Sequence, residues 1–465
     1  MRILFVTLFF PPDRNAGTET YTQTVAHGMA ARGHDVQVVC ANRWDTGPGY
    51  WNGVTEHRGS PVPVDGINLN WTRAKDPNRV VFDSDDVERW FEQFVRRMEP
   101  DVVHVTSLIT LGLGVIRAAD RAGVPQVLTL MDFWFLCPRT TLLRGDGTLC
   151  DGHVSADECR LCLLADSRLD KRMRPWVPVA WRTALWRGVS KRPWLAGVRG
   201  ARGMALDVAH RQAAVRDALD RPEAILAHSR FVQQTFSRVW RAGRVRLVRN
   251  GHDVSWLRHA PAREASPALR VAYLGQLAAI KGVHVAVEGF RLAAAGNEAR
   301  FDIWGDPSKD PAYASSLRTL VGSDRNIVLK GPYSRDRLGE VLASADVVVV
   351  PSLWYENAPL VIQEAFAAKV PVIATDVGGM AESVRHGVDG LLFARGDARD
   401  LARQLRRLLD ERDLRSRLVT GIPEVRTTSD ELDELEGIYR EIAARKAVAG
   451  DSPHGHRRRT PTSAA

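Results

Sequence analysis

The stretch that decides the fold is Asp346-Val-Val-Val-Val-Pro-Ser-Leu-Trp-Tyr-Glu-Asn-Ala-Pro-Leu-Val-Ile-Gln-Glu364. Its apolar run, preceded by Ala-Asp and followed by Pro-Ser, predicts a buried parallel strand. The residues from Leu360 to Ala368 predict a helix, with Asn357 as its N-cap and Pro359 in its first turn. A strand, a short loop and a helix N-terminus together favour an anion, because unpaired N–H groups and the helix dipole point at the loop.

Two carboxylates, Glu356 and Glu364, bracket this predicted anion site. A carboxylate repels a phosphate that it faces directly, but it accepts hydrogen bonds from hydroxyl groups. The arrangement therefore predicts a ligand with a phosphate at its centre and hydroxyl groups on both sides. A nucleotide-sugar has this shape.

Strands and helices alternate on both sides of this stretch. Strand patterns at residues 2–7 and 35–40 enclose a helical pattern at residues 19–32, and a second series starts at Leu269. This alternation predicts an α/β fold of two doubly wound Rossmann-like domains that face each other across a cleft.

The predicted domain boundaries follow from changes in composition. An Ala- and Pro-rich linker at residues 260–267 separates an N-terminal domain, residues 1–259, from a C-terminal domain, residues 268–430. A charged helix follows at residues 431–446. The tail at residues 447–465 is rich in Gly, Pro, Ser, Thr and Arg, so we predict that it is disordered and basic.

The 465-residue chain has a formal net charge of +9. This charge indicates either an anionic partner, such as a nucleotide phosphate, an acidic membrane or nucleic acid, or a solvated Arg-rich surface. No apolar run approaches the ~20 residues that span a bilayer, and residues 3–10 read as a strand rather than a signal peptide. We therefore predict a cytoplasmic protein. A dehydrogenase is disfavoured because no Gly-x-Gly-x-x-Gly follows the first strand.

Further short motifs occur in a fixed order along the chain. They are Pro11-Pro12 with Gly17-Thr-Glu19, Asp101-Val-Val-His104, Ser229, Asn250-Gly251, Gly275, Lys281-Gly282, Gly305, and Val377-Gly-Gly379 with Glu382. Together with the glutamate pair, this ordered set resembles the retaining glycosyltransferases of the two-Rossmann (GT-B) fold, specifically the family numbered four. The resemblance covers roughly residues 1–445.

The resemblance implies that the C-terminal domain binds a nucleotide diphosphate-sugar donor and that the last helix crosses back to the acceptor-side N-terminal domain. Glu364 would accept hydrogen bonds from the ribose diol, and Glu356 would contact the hydroxyl groups of the sugar. The stretch Asn357-Ala358-Pro359-Leu360 would hold the diphosphate through its backbone N–H groups, which Pro359 itself lacks, and Lys281 would neutralise it. Catalysis would require no cofactor. The other donor-binding positions that the resemblance implies are Gly17, Gly275, Gln276 and Gly305.

Two positions depart from the family pattern. The family commonly has an arginine where this chain has Gln276, so the diphosphate would depend on Lys281 and the helix N-terminus unless another arginine contributes. The family often has a His-Asp pair where this chain has Met131-Asp132. The catalytic role of that histidine would then fall to Asp132 or His104, beside Glu356, or would be lost.

Four cysteines, Cys137, Cys150, Cys159 and Cys162, fall within a loop-rich insertion at residues 137–162. Four thiolates could close a structural zinc site, with His153 as a spare ligand. The alternatives are reduced thiols, two disulfides or, less favoured, an iron–sulfur cluster.

The next segment, residues 167–202, is strongly basic and rich in tryptophan. Cationic residues interleaved with Trp and Leu are typical of a surface that lies on an anionic membrane. We predict peripheral binding through residues 168–202 to the inner face of the plasma membrane. The alternatives are a solvated face with packed tryptophans and, least favoured, single-stranded nucleic acid.

These observations favour a retaining hexosyltransferase that moves a sugar to a glycan or lipid-linked acceptor, in the synthesis of a cell-surface polysaccharide or glycolipid. The alternatives are a nucleotide-sugar epimerase or phosphorylase of the same fold, or a catalytically degenerate nucleotide-binding scaffold. The scaffold gains weight from Gln276 and Met131.

Overall fold

A computed structural model of the chain describes residues 1–12, 16–57, 59–165, 167–192, 194–195, 206–240, 243–264, 266–411 and 413–450. The described residues contain two separate β-sheets, each formed by one half of the chain. The predicted α/β fold of two doubly wound domains is confirmed. The predicted tail residues from 451 onward lie outside the described residues.

The first sheet has eight strands in the order β3-β4-β2-β1-β5-β6-β7-β8. All neighbouring strands are parallel except β3 and β4, which are antiparallel. The strands are β1 (Arg2–Thr7), β2 (Asp35–Arg43), β3 (Trp51–His57), β4 (Val64–Leu69), β5 (Val102–Val105), β6 (Gln126–Leu130), β7 (Ala224–Ala227) and β8 (Val245–Leu247).

Helices cover both faces of this sheet. The helices of this half of the chain are α1 (Gly17–Ala31), α2 (Asp85–Met98), α3 (Gly114–Arg121), α4 (Ala156–Leu164), α5 (Arg168–Met173), α6 (Val179–Ser190), α7 (Val208–Leu219) and α8 (Arg230–Val239). The strand order reverses at β1, which lies between β2 and β5. In open α/β sheets such a reversal opens a crevice at the carboxyl ends of the strands.

The second sheet has six parallel strands in the order β11-β10-β9-β12-β13-β14. The strands are β9 (Leu269–Leu274), β10 (Ala299–Trp304), β11 (Ile327–Gly331), β12 (Val347–Val350), β13 (Val372–Thr375) and β14 (Gly390–Phe393). The helices that follow are α9 (Val283–Ala294), α10 (Pro311–Val321), α11 (Leu338–Ala343), α12 (Leu360–Ala367), α13 (Gly378–Ser383), α14 (Ala398–Asp410), α15 (Leu414–Gly421) and α16 (Thr428–Gly450).

The valine run of the opening stretch forms β12 at the centre of the second sheet. All four valines are buried, because the strand pairs with β9 on one side and β13 on the other. A strand that is buried on both faces needs an unbroken apolar run rather than an alternating one. The strand is therefore where the sequence predicts it.

The last helix, α16, packs on the first domain and is longer than predicted, since it extends through Gly450. Its apolar side chains Leu435 and Tyr439 belong to the same core as Ile3 and Phe5 of β1. Residues 447–450, predicted as part of the disordered tail, are helical.

Among the described residues, no helix is both long enough and apolar enough to cross a membrane.

A buried carboxyl group, Glu431, fixes the point where the chain returns to the first domain. The Tyr21 hydroxyl donates to Glu431 Oε1 at 2.8 Å, and the Gly251 N–H donates to Oε2 at 2.6 Å. A Cβ atom on Gly251 would lie 2.2 Å from the Thr427 carbonyl oxygen, so only glycine fits there. Burial raises the pKa of Glu431 to about 7.

The pKa of Glu431 predicts how stability depends on pH. Because the folded chain binds this proton more tightly than the unfolded chain, the contribution is present below about pH 4.3 and is lost as the pH rises through the folded pKa. The melting temperature of the wild type, measured relative to Glu431→Gln, should therefore fall by a few degrees from about pH 5 to about pH 8. Differential scanning calorimetry measures this. An equal fall relative to Glu434→Gln, which removes an exposed carboxyl of the same helix, would contradict the assignment to Glu431.

Candidate functional site

The candidate site lies where the carboxyl edges of the two sheets meet, and Asn357 joins them. Its amide Nδ2 donates to the Leu130 carbonyl oxygen at the end of β6 at 2.8 Å. Its Oδ1 accepts a hydrogen bond from the hydroxyl of Ser229, just after β7, at 2.9 Å. The prediction of Asn357 as the N-cap of α12 is wrong. Pro359 occupies that position, without a side-chain cap.

Backbone contacts hold the loop between β12 and α12. The Gly379 N–H donates to the Glu356 carbonyl oxygen at 2.9 Å, and the Leu353 N–H donates to the Ile280 carbonyl oxygen at 2.8 Å. A Cβ atom would lie 1.7 Å from the Asn357 carbonyl oxygen if placed on Gly379. On Gly282 it would lie 2.0 Å from the Pro351 carbonyl oxygen, so both glycines are required by this close packing.

Glu356 is held by three donors within this loop region. Its Oε1 accepts hydrogen bonds from Lys281 Nζ at 2.7 Å, Ser352 Oγ at 2.8 Å and Trp354 Nε1 at 2.9 Å. Lys281, predicted to face the diphosphate, contacts this carboxylate, and its role toward the diphosphate stays a prediction. The ammonium group also lies 5.3 Å from the Trp354 ring centroid. Lys281 therefore holds Glu356 in this orientation.

Glu364 lies in the second turn of α12 and is almost fully buried. Its Oε1 accepts a hydrogen bond from Arg335 Nη1 at 2.8 Å, and the Arg335 side chain is half exposed. The sequence reasoning missed Arg335, which lies in a turn before α11.

Gln276, in the loop after β9, contributes no charge to the site. The Gln276 side chain is exposed, while its carbonyl oxygen accepts a hydrogen bond from the Tyr273 hydroxyl at 2.6 Å. A Cβ atom on Gly305 would lie 2.4 Å from the Gly275 carbonyl oxygen. The two glycines therefore let the loops after β9 and β10 approach each other at the carboxyl edge of the sheet.

Asp132 directly follows Met131 at the end of β6, so it lies beside the Asn357 contact. Burial raises the pKa of Asp132 to about 6, although the Trp134 N–H donates to Oδ1 at 2.7 Å and Arg211 is close. A carboxyl group with this pKa can change protonation state near neutral pH. Asp132 is therefore the acid–base candidate of the first domain.

His104 is not part of the cleft, and its prediction as a catalytic residue is corrected. The side chain has no exposed surface. Its Nδ1 lies 2.6 Å from the Tyr439 hydroxyl and its Nε2 lies 2.8 Å from Thr129 Oγ1. Burial lowers the pKa of His104 to about 3, so the ring is a neutral member of the core beneath α16.

Gly17 begins α1 after the loop that follows β1, and residues 13–15 of that loop lie outside the described residues. The N-cap of α1 is Ala16, which provides no side-chain cap. A Cβ atom on Gly17 would meet nothing within 4 Å. Unlike Gly379, this glycine is therefore not required by packing.

The four cysteines of the insertion line one small cavity, and all of them are free. The Gly152 N–H donates to Cys150 Sγ at 3.4 Å, and burial together with the neighbouring thiols raises the pKa of Cys159 to about 12. Within the described ranges, however, no group of three or more His, Cys, Asp or Glu side chains is placed to hold a metal ion. The four thiols line the same cavity but are not arranged as metal ligands, so the zinc site stays a prediction from the sequence.

The insertion also contacts the second domain. Arg395, which follows β14, donates from Nη2 to the Gly147 carbonyl oxygen at 2.6 Å and from Nε to the Leu353 carbonyl oxygen at 2.6 Å. One arginine thereby connects the cysteine insertion to the loop that carries Glu356.

Comparison with known proteins identifies both halves of the chain. The family model for glycosyl transferases group 1 matches residues 268–411, and the model for the glycosyl transferase 4-like domain matches residues 16–150. The first match covers all six strands of the second sheet, and the second match covers strands β2 to β6 of the first sheet.

Relatives with known names are similar to parts or to all of the chain. Alpha-D-kanosaminyltransferase of Streptomyces kanamyceticus is 31% identical over 181 residues, which are 37% of this chain and 45% of that protein. The chain spans less than half the length of this relative and of several D-inositol 3-phosphate glycosyltransferases. Glycogen synthase of Mycobacterium tuberculosis is 24% identical over 432 residues, covering 88% of this chain and 86% of that protein.

Among solved structures, Anabaena HepE in complex with UDP has the same fold. The TM-score is 0.60 at 16% identity, and the match covers 96% of this chain and 100% of that chain.

The close packing at Gly379 predicts that Gly379→Ala distorts the loop that carries Glu356. We expect the free energy of unfolding to fall by about 1–3 kcal/mol, because the surrounding backbone cannot make room for a methyl group. Gly437→Ala is the matched control. A Cβ atom there meets nothing within 4 Å in the middle of α16, and alanine should stabilise that helix by about 0.5–1 kcal/mol. Melting temperatures that move in the same direction for the two variants would contradict this account.

Proposed function

Because the chain belongs to the family 4 type glycosyltransferases of the GT-B fold, we propose that it transfers a sugar from a nucleotide diphosphate-sugar to a glycan or lipid-linked acceptor. The anomeric configuration of the sugar is retained in this proposal. The product belongs to a cell-surface polysaccharide or glycolipid.

One observation carries the proposal: two carboxylates bracket an uncapped helix N-terminus, and each is paired with a cation. Glu356 precedes α12 and Glu364 lies within it, while Lys281 and Arg335 are at 2.7 Å and 2.8 Å from them. Because α12 has no side-chain cap, we assign the N–H groups of Leu360 and Val361 to phosphate oxygens. The Ile362 N–H already donates to the Pro359 carbonyl oxygen at 3.1 Å. The carboxylates suit the hydroxyl groups of the sugar and the ribose on either side.

The cations are arranged to respond to charge that develops during transfer. The bond between the anomeric carbon and the diphosphate oxygen breaks, and the acceptor oxygen attacks from the same face and gives its proton to the departing phosphate oxygen. The diphosphate gains negative charge as it leaves. N–H groups and cations that are already in place stabilise this charge more strongly in the transition state than in the bound substrate.

Arg335 gives Glu364 a fixed orientation for the ribose. The guanidinium group holds Glu364 Oε1, and we assign Oε2 to the ribose diol. Because the same guanidinium is half exposed, it can also reach a phosphate of the bound donor. Arg335 thus takes the role that Gln276 cannot perform.

The choice of the first donor to test comes from the structural comparison. Anabaena HepE has been crystallised with UDP, with UDP and glucose, and with UDP-glucose. A uridine diphosphate-sugar is therefore the first probe, followed by guanosine and adenosine diphosphate-sugars.

Variants of the two glutamates should separate donor binding from transfer. Glu364→Ala should raise the donor KM by about tenfold or more, because the ribose loses a buried acceptor in both the ground state and the transition state. Glu356→Gln should mainly lower kcat, because it keeps the contact with Lys281 but removes the negative charge beside the sugar. Steady-state kinetics and isothermal titration with UDP measure the two effects.

Glu298→Ala is the control for this pair. Glu298 is exposed at the amino end of β10, at the edge of the sheet opposite the site, and its variant should leave both parameters unchanged. If the wild type binds no nucleoside diphosphate, the transferase proposal is overturned. If it binds but no sugar is transferred to any acceptor, the scaffold alternative replaces it.

The raised pKa of Asp132 predicts the pH dependence of transfer. Because the acceptor's proton goes to the departing phosphate oxygen, we assign to the ionised Asp132 carboxylate a hydrogen bond that orients the acceptor hydroxyl. The value of kcat/KM should then rise as the pH increases through about 6 and level off. Asp132→Asn should lower the plateau and abolish this limb. The limb should persist in Asp120→Asn, which changes an exposed carboxylate on α3. An unchanged profile in Asp132→Asn would exclude Asp132 from this role.

A further inference from the structure

We propose that α5 and α6, together with the turn between them and the residues that follow, form a surface that binds an anionic lipid bilayer. This surface is called the α5–α6 surface and comprises residues 167–192 and 194–195. Residues 193 and 196–202 of the segment predicted from the sequence, with Arg199 and Arg202, lie outside the described residues. The proposal does not depend on the proposed function, because it is tested without donor or acceptor.

The first observation is the exposure of large apolar side chains. Trp176, Trp181 and Trp194 are 85%, 73% and 65% exposed. Of the nine large apolar side chains exposed in the described part of the chain, six lie on the α5–α6 surface. The other three on this surface are Leu169, Val179 and Leu185. Such a concentration marks a site of interaction rather than the scattered exposure of an ordinary surface.

The second observation is that buried contacts hold the two helices of the surface together. Asp170 has no exposed surface and accepts hydrogen bonds from Arg182 Nε at 3.0 Å and Trp186 Nε1 at 3.2 Å. This buried ion pair fixes α5 against α6. Arg182 and Trp186 therefore face inward and do not belong to the exposed surface, although they lie in the basic, tryptophan-rich segment. Trp176, Trp181 and Trp194 remain exposed.

The third observation is the sign of the charge around the apolar side chains. Seven basic residues of the surface are exposed, and the one acidic residue among residues 167–192, Asp170, is buried. The exposed basic residues are Arg168, Lys171, Arg172, Arg174, Arg187, Lys191 and Arg192. A partner of negative charge is therefore favoured over a neutral or basic one.

Together these features match the chemistry of an anionic bilayer surface. Tryptophan rings partition into the interfacial region between headgroups and acyl chains, where one end is apolar and the other is wet. Lysine and arginine are attracted to anionic headgroups, and the attraction is screened within a Debye length. Single-stranded nucleic acid could also contact exposed rings and cations, but aliphatic side chains such as Leu169 and Leu185 offer it no stacking surface.

The position of the surface places a membrane beside the acceptor side of the cleft. The segment follows the cysteine insertion, which leaves β6 just after Asp132. Arg187 on α6 forms an ion pair with Asp157 on α4. The α5–α6 surface is thus attached to the domain that carries Asp132, and not to the domain that carries the glutamate pair.

The test is vesicle flotation of the full chain, with no nucleotide or acceptor present. Vesicles of phosphatidylglycerol and phosphatidylcholine should bind the wild type at least tenfold more tightly than vesicles of phosphatidylcholine alone, and binding should weaken as salt is raised. Trp176→Ser combined with Trp181→Ser should reduce the partition coefficient by about tenfold or more, because the interfacial rings are lost. Arg168→Glu combined with Arg172→Glu should have an effect of similar size.

Matched controls on the second domain keep the result specific. Leu292→Ser changes another exposed apolar side chain, and Arg325→Glu with Arg399→Glu reverses two exposed arginines. Both should bind vesicles as the wild type does, and circular dichroism checks that every variant is folded. Equal binding of all variants, equal affinity for phosphatidylcholine alone, or binding to a single-stranded oligonucleotide without binding to vesicles would each overturn the proposal.

Discussion

The candidate donor site depends on backbone packed directly against backbone around the loop between β12 and α12. Gly379 and Gly282 bring their chains so close to the carbonyl oxygens of Asn357 and Pro351 that a methyl group cannot fit at either glycine. Contacts of this kind do not swing as long side chains do. Glu356 and the uncapped N-terminus of α12 are therefore in place before a ligand arrives, and such preorganisation makes charge stabilisation effective in catalysis.

The sequence predicts the parts of this site that local pattern determines. An unbroken valine run is sufficient for a strand buried on both faces, and the composition after Pro359 is sufficient for α12 and for a carboxylate, Glu364, one turn into it. The N-cap assigned to Asn357 fails because the competing partner, the Leu130 carbonyl oxygen, is 227 residues away in the chain. Neighbouring residues in the sequence carry no signal of a hydrogen bond between domains.

Motif order gives the position of a residue in the chain but not the direction of its side chain. His104 fits the order, yet it points beneath α16 because Tyr439, 335 residues later, supplies its partner. Arg335 belongs to no motif, and the one physical signal for it is that the buried carboxylate of Glu364 requires a cation. Lys281 meets Ser352 and Trp354 at one oxygen of Glu356, and this convergence of three donors is set by the folded loop rather than by motif order.

A continuous set of contacts connects the two sides of the proposed reaction. Asn357 joins the loop between β12 and α12 to the end of β6, where Asp132 follows. Arg395 links the cysteine insertion to Leu353 of the same loop. The α5–α6 surface continues from that insertion. A lipid-linked acceptor held in a bilayer on this surface would meet the domain of Asp132 at a high effective concentration, since diffusion is confined to two dimensions. The loop that carries Glu356, the end of β6 with Asp132 and the domain of the proposed membrane surface are therefore linked by direct contacts.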